Sequence, residues 1–251
     1  MKWTGWPSET EFPDRPSEVI CQTLDKAWES DGFRRLETNW TKQIIQFTFS
    51  VKPSVNPILF CQRVKGRLDH TLRHHKMGIK FSRKVGFRTI GNNRREEVLN
   101  YINQQVAKEE FVDSRFAELI QEFTFSDDEI RLQEPTETTR ARYWHNLHLV
   151  LVTAGRSRFT NRESLSKLSH QCTAIARKKE CKIASRSIMP DHIHLALRGA
   201  LDLSPAEIAL TFMNNLAFAF GQNAIWTPSY YVGSFGEYDM GAVSESRSTP
   251  P

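Results

Sequence analysis

Apolar and polar positions along the chain fall into segments of two different periods. Gln43-Ile-Ile-Gln-Phe-Thr-Phe-Ser-Val51 alternates, with Ile45, Phe47, Phe49 and Val51 on one side, and predicts a strand closed by Pro53 and Pro57. Leu147-His-Leu-Val-Leu-Val152 predicts another, Met189–Leu197 a strand pair, and Val85–Ile90 and Tyr230–Gly236 shorter extended pieces. Helices are predicted between them: Pro16 to Gly32, a basic one from Pro57 to His74, then Lys108 to Phe123, Glu163 to Lys179 and Pro205 to Phe220. The helix after Gly91 has the clearest start, with Asn93 as cap, Glu96 completing a capping box, and Val98 and Ile102 as a buried stripe. Met1–Pro16 reads as irregular, Pro135-Thr-Glu-Thr-Thr139 as linker, and residues 244–251 as a disordered tail. Small antiparallel sheets with helices packed on them are the expected architecture, an α+β fold.

The chain also echoes itself. Ile45 to Pro57 lies over Ile193 to Pro205 without a gap, each a strand, a turn and a proline opening a helix. Upstream, Phe12-Pro-Asp-Arg15 lies over Phe159-Thr-Asn-Arg162; downstream, Thr89-Ile-Gly91 lies over Ser234-Phe-Gly236. The order of the matches predicts two related halves: 1–106, then a connecting helix and linker over 107–142, then 143–243, with 244–251 as the tail.

Charge and cysteine content narrow the picture. The 251 residues carry a net charge of +5, which fits a phosphate-bearing partner without establishing one. Cys21, Cys61, Cys172 and Cys181 have no CxxC or zinc spacing and read as buried thiols. No apolar run approaches a membrane span, and Met1–Pro7 has no signal-like apolar core, so a soluble cytoplasmic protein is expected.

The chemistry concentrates in Met189-Pro-Asp-His-Ile-His-Leu-Ala-Leu197. Residues i and i+2 of a strand share a face, so His192 and His194 present two imidazoles side by side while Ile193 enters the core. Two such nitrogens suit a divalent cation with positions left for phosphate and water. A bare His-x-His pair is more often structural, and His145 and His148 on the preceding strand read that way. The context here resembles the signature strand of the single-tyrosine HUH transposases, including the REP-associated tyrosine transposases. Asn146–Thr153 resembles that family's first strand, and Ile225–Gly236 the segment before its tyrosine helix. The resemblance covers 143–243 well and 16–105 more loosely. It implies that His192 and His194 hold Mg²⁺ or Mn²⁺ and that a tyrosine on a later helix attacks single-stranded DNA.

In the family that helix carries Tyr-Ile-x-x-Gln, the glutamine serving as a third metal ligand. Counting from Gly236, the tyrosine position falls at Ser246; Tyr230 and Tyr231 match apolar packing positions, and Tyr238 comes too early. The first half supplies the motif instead, as Tyr101-Ile-Asn-Gln-Gln105 at the same distance from Gly91, with Tyr101 and Gln105 one turn apart. The first half's own histidine positions hold Ile44 and Gln46. Each half has lost what the other keeps. Family members are dimers in which one subunit's tyrosine helix reaches the other's histidine pair, so the resemblance implies an intramolecular pseudo-dimer with one composite site of Tyr101, Gln105, His192 and His194.

The implied activity is a transposase-like single-stranded DNA endonuclease and strand transferase, forming a 5′-phosphotyrosine on hairpin-bearing DNA. The alternative is a domesticated hairpin-binding protein that does not cut. Lys65, Arg67, Arg73, Lys84, Arg88, Lys178, Lys179 and Arg186 are the candidate phosphate contacts, Trp40 and Trp226 the candidate stacking rings. One site holds one strand at a time, so handling two DNA ends calls for a second copy of the chain.

Overall fold

A computed structural model of the chain describes residues 1–8, 11–222 and 225–236. In chain order the elements begin with β1 (Lys2–Pro7), α1 (Glu18–Ser30), β2 (Phe33–Trp40), β3 (Ile45–Val51), α2 (Pro57–His74) and β4 (Phe81–Arg88). Then come α3 (Arg95–Asn103), α4 (Gln105–Lys108), α5 (Ser114–Gln121), β5 (Phe125–Ser126), β6 (Thr136–Glu137), β7 (Ala141–Trp144) and β8 (Asn146–Val152). The chain continues through α6 (Arg162–Lys178), β9 (Lys182–Ile188), β10 (His192–Arg198), α7 (Pro205–Ala219) and β11 (Tyr231–Ser234). Sheets rich in antiparallel pairs and covered by helices make this an α+β protein.

The residues sort into two compact units, one of 1–89, 135–145 and 201–204, the other of 90–134, 146–200 and the described part of 205–251. This differs from a boundary at 106/107 and a linker over 107–142. Residues 90–134, with the whole of α3, fold into the second unit because α3 finds its apolar partners there.

In the first unit the strand order is β2-β3-β1-β4-β7-β6, with α1 and α2 packed on the sheet. β1 was not legible as a strand, since its Gly5 and Pro7 disfavour one. It forms because Trp3 is fully buried between Phe47 and Phe87, its register partners, and stacks on the Phe47 ring at 5.9 Å. β2 went unpredicted because it is an edge strand whose charged residues blur the alternation; only Phe33 is deeply buried. The core is aromatic: Trp28, Phe33, Phe49, Phe60 and Phe87 join Trp3 in one cluster.

The second unit's sheet runs β11-β8-β10-β9-β5. Stripped of the short strands β5, β6 and β7, both sheets have one plan: the order β2-β3-β1-β4 matches β9-β10-β8-β11. The pairing registers agree as well, with Gln46 opposite Thr4 as His194 is opposite Val150. Ile193, Leu195 and Leu197 point to one face, where α6 packs on β9 and α7 on β8. The other face carries His192, His194 and Ala196. There α3 lays Val98 and Ile102 against Ala184 and Ala196, whose small side chains let the helix approach.

Candidate active site

The site is built entirely within the second unit. Its first component is the placement of α3, tied at both ends. At the N-terminal end Gly91 lies so close to β11 that a Cβ would meet the Ser234 carbonyl oxygen at 1.8 Å. Ser234 Oγ donates to the Ile90 carbonyl at 2.6 Å, and Arg95 N–H to that of Gly236. The cap falls one residue later than Asn93: Arg94 is the N-cap, and its N–H donates to the Glu97 side chain at 2.7 Å, so Glu97 rather than Glu96 closes the box. At the C-terminal end the Asn103 side-chain oxygen accepts from Ser126 and from Ser185 of β9, at 2.9 and 2.8 Å.

Held this way, α3 presents Tyr101 to the histidine face. The ring stands edge-on to His194, with centroids 5.3 Å apart and planes at 87°, and 6.1 Å from His148. Tyr101 is 43% exposed. Lys108 holds its ammonium 4.3 Å from the Tyr101 ring centre. A cavity of about 670 Å³ opens here, lined among others by Asn92, Asn93, Glu97, Tyr101, His148 and His194.

The two strand histidines are held differently. His192 Nδ1 lies 2.6 Å from the Asp191 carboxylate, which also accepts from Arg156. Burial opposes the charge on Asp191, but the bonds from His192 and Arg156 outweigh it and keep the carboxyl below its usual range. His194 is buried, with Nδ1 3.1 Å from His148 Nε2. Burial pushes His148 down to about 4; burial first, and then interactions with neighbouring His192, His148 and Lys108, push His194 down to about 3, so both imidazoles are neutral near neutral pH.

His148 was the residue that sequence reading passed over. A lone histidine in an apolar strand carries no signal until the register sets it two residues along β8 from Val150, the partner of His194, and on the same face. Tyr231 also differs from a packing role: it is half exposed and stands 5.6 Å edge-on to His148. His145 is buried beside Phe87 in the first unit.

Gln105 is not on one helix face with Tyr101, because α3 ends at Asn103 and α4 restarts at Gln105. Its side-chain amide instead donates to the Tyr101 carbonyl at 2.8 Å, satisfying the end of α3. Among the described residues no group of three or more His, Cys, Asp or Glu side chains is arranged for a metal ion. The donor chemistry still suits one: His192 and His194 are adjacent, at 4.9 Å between ring centres, and among the described residues each has one nitrogen bonded to protein and the other not.

The expected phosphate contacts are distributed unevenly. Arg186 is buried, donating to Ser169 and Thr173 of α6, so its guanidinium is engaged inside the unit. In the first unit Arg67 pairs with Asp31, Arg73 with Asp69, and Lys84 stands 4.0 Å from Glu137. Lys65 donates to the Ser82 carbonyl, and Arg88 lies over the Trp144 ring. Lys178 and Lys179 end α6, with Lys178 exposed. Trp40 and Trp226 each spend the indole N–H on a backbone carbonyl, and Trp226 is buried. Ser246 and Tyr238 lie outside the described residues. Among the described residues no helix is long and apolar enough to cross a membrane.

Residues 141–245 match the family model described as "Transposase IS200 like". No curated protein matches the chain. Among solved structures, a candidate transposase from Deinococcus radiodurans is 19% identical over 41% of this chain and 87% of its own, with a TM-score of 0.34. A REP-associated tyrosine transposase bound to a REP hairpin is 16% identical over 44% of this chain and 67% of its own, with a TM-score of 0.33. The regulatory subunit of aspartate kinase from Thermus thermophilus is 12% identical over 87% and 92%, with a TM-score of 0.22. At these scores the structural likenesses carry no argument. The sequence match is confined to residues 141–245, which span β7 to β11 with the histidine strand; over that segment the chain is similar to the IS200-like transposases.

Proposed function

We propose that this chain is a single-stranded DNA nuclease and strand transferase in which Tyr101 is the nucleophile and His192 and His194 hold a divalent cation, Mg²⁺ or Mn²⁺. The observation that carries the reading is the Tyr101 ring standing against His194. A phenol from the chain's first half meets the histidine pair of its second half.

The Tyr101 oxygen attacks a DNA phosphorus, the bond from that phosphorus to the 3′ oxygen breaks, and the products are a 5′-phosphotyrosine and a free 3′-OH. The phenolic proton leaves to solvent and the departing 3′ oxygen takes one up. A second strand's 3′-OH reverses the exchange and joins the ends. A cation on His192 and His194 would polarise the scissile phosphate and stabilise its developing charge. Asp191 fixes the His192 ring so that Nε2 faces outward, and Gln105 closes the end of α3, which sets the Tyr101 backbone. Lys108 places positive charge beside the attacking group. Exposed cations such as Lys178 supply affinity that falls with salt.

The matching strand order and register of the two units support reading the chain as two copies of one ancestral unit, of which only the second keeps a histidine pair. One such site per chain makes a second copy of the chain the partner needed to move two DNA ends.

The test is incubation of hairpin-bearing single strands with the full chain and Mn²⁺. A denaturant-resistant protein–DNA adduct that Tyr101→Phe abolishes is expected. Salt-sensitive retention without an adduct would replace this reading with the hairpin-binding one, and an adduct that survives Tyr101→Phe would remove Tyr101 from the role.

A further inference from the structure

We infer that His148 is a positioning residue that fixes the tautomer of His194, so that the outward nitrogen of His194 carries a lone pair for the cation. The inference rests on the metal role proposed for the histidine pair and adds a residue to it.

The argument is a count of protons. His148 Nε2 and His194 Nδ1 face each other at 3.1 Å, with the rings near parallel at 26°. Two ring nitrogens this close form a hydrogen bond only if one is protonated and the other offers a lone pair, and a neutral imidazole has one N–H and one lone pair. The hydrogen bond therefore contains one proton, and two arrangements exist. If His148 donates, the proton of His194 sits on Nε2 and no nitrogen of His194 is left for a metal. If His194 donates from Nδ1, its Nε2 is a free lone pair. Only the second arrangement makes His194 a ligand.

His192 has no such ambiguity, since the Asp191 carboxylate can only accept and so places the His192 proton on Nδ1. Among the described residues no carboxylate does this for His194, and the group facing its Nδ1 is His148. The His148 ring is itself braced, with Tyr101 and Tyr231 both edge-on to it at 6.1 and 5.6 Å.

The first unit supplies an independent observation. Its register places Gln46 where the second unit has His194 and Lys2 where it has His148. The unit without the histidine pair also lacks the third histidine, as expected if that residue serves the pair and not the strand.

The test uses the full chain without DNA. Mn²⁺ binding followed by electron paramagnetic resonance should weaken 10- to 100-fold in His148→Phe, the usual loss when an outer partner of a metal-bound histidine is removed. His148→Gln, whose side-chain oxygen can accept from His194 Nδ1–H, should restore it to within about threefold of the wild type. Nitrogen-15 spectra of the metal-free wild type should show His194 protonated on Nδ1. Unchanged binding in His148→Phe, failure of His148→Gln to recover, or a wild-type His194 protonated on Nε2 would each overturn the assignment. If the wild type holds no more Mn²⁺ than His192→Ala/His194→Ala, the metal reading itself falls.

Discussion

Tyr101 and His194 meet edge to face, 5.3 Å between ring centres, although 92 residues of sequence lie between them and two strands of the other unit fall in that interval. The contact arises because α3 is a short amphipathic helix with little to bury on its own. Val98 and Ile102 seat it on Ala184 and Ala196, and Tyr101, next to Ile102, is carried to the histidine side of the same face. Packing of two apolar residues thus decides where the Tyr101 hydroxyl sits.

Lys108 should tune the site without supporting the fold. Its ammonium lies over the Tyr101 ring, an arrangement worth about 0.5–1 kcal/mol at exposed positions. Lys108→Gln is expected to slow adduct formation by roughly two- to fivefold, because the ammonium attracts the phenol oxygen more strongly, by about 0.5–1 kcal/mol, as negative charge develops on it in the transition state. Denaturant unfolding should change by no more than about 1 kcal/mol, the worth of the resting contact. Single-turnover adduct assays beside urea titrations check both halves of the prediction.

Gly91 should be intolerant of any side chain. A Cβ would lie 1.8 Å from the Ser234 oxygen and 2.8 Å from its carbonyl carbon, backbone atoms that cannot swing aside. Gly91→Ala must push β11 and the start of α3 apart, at about 1–3 kcal/mol or more. Calorimetry should show the lower Tm, and adduct formation should fall because Tyr101 is displaced. Gly66, with nothing within 4 Å of its Cβ position, is the control: Gly66→Ala should not destabilise.

The sequence made some of this readable and hid the rest for identifiable reasons. α2 and α7 start at Pro57 and Pro205 as read, because proline at the first turn is a local signal. β10 was readable from its alternation, and the superposition of Thr89–Gly91 on Ser234–Gly236 agrees with the register, in which β4 and β11 occupy equivalent places. β1 was hidden because its strand character comes from Trp3 packing between two distant strands. The break between α3 and α4 was not legible: an i, i+4 spacing such as Tyr101 to Gln105 puts side chains on one face only if the helix continues, and α3 stops at Asn103. His148 was hidden because strand pairing, not spacing, brings it to His194.

Arg186 should matter for stability and not for DNA. The guanidinium is buried, its pKa lowered by that burial, and it donates to the Ser169 carbonyl, Ser169 Oγ and Thr173 Oγ1 while facing the Phe125 ring. Arg186→Ala leaves these acceptors without their donor and should cost about 1.5–3 kcal/mol. The salt dependence of DNA retention should keep its slope, whereas Lys178→Ala/Lys179→Ala should reduce it by up to about two counterions. Equilibrium unfolding and retention measured at several salt concentrations distinguish the two kinds of cation.

The Asp31–Arg67 pair gives the first unit a dependence on acid. Arg67 Nε lies 2.9 Å from Asp31 Oδ2, and the hydrogen bonds from Arg67 hold the Asp31 carboxyl below its ordinary value against the opposing effect of burial. A carboxyl depressed in the folded state binds fewer protons there than in the unfolded chain. Its contribution is therefore present above the unfolded pKa of about 3.9 and fades as pH falls through the lower folded value. Solvent reaches the pair, so the contribution is about 0.2–1 kcal/mol. Asp31→Asn should lower stability by that amount at pH 7 and by almost nothing at pH 2. Since the substitution also releases Arg67, DNA retention at low salt should rise slightly. Unfolding curves at the two pH values test the first expectation; an equal loss at both would mean that Asp31 acts through packing and not through charge.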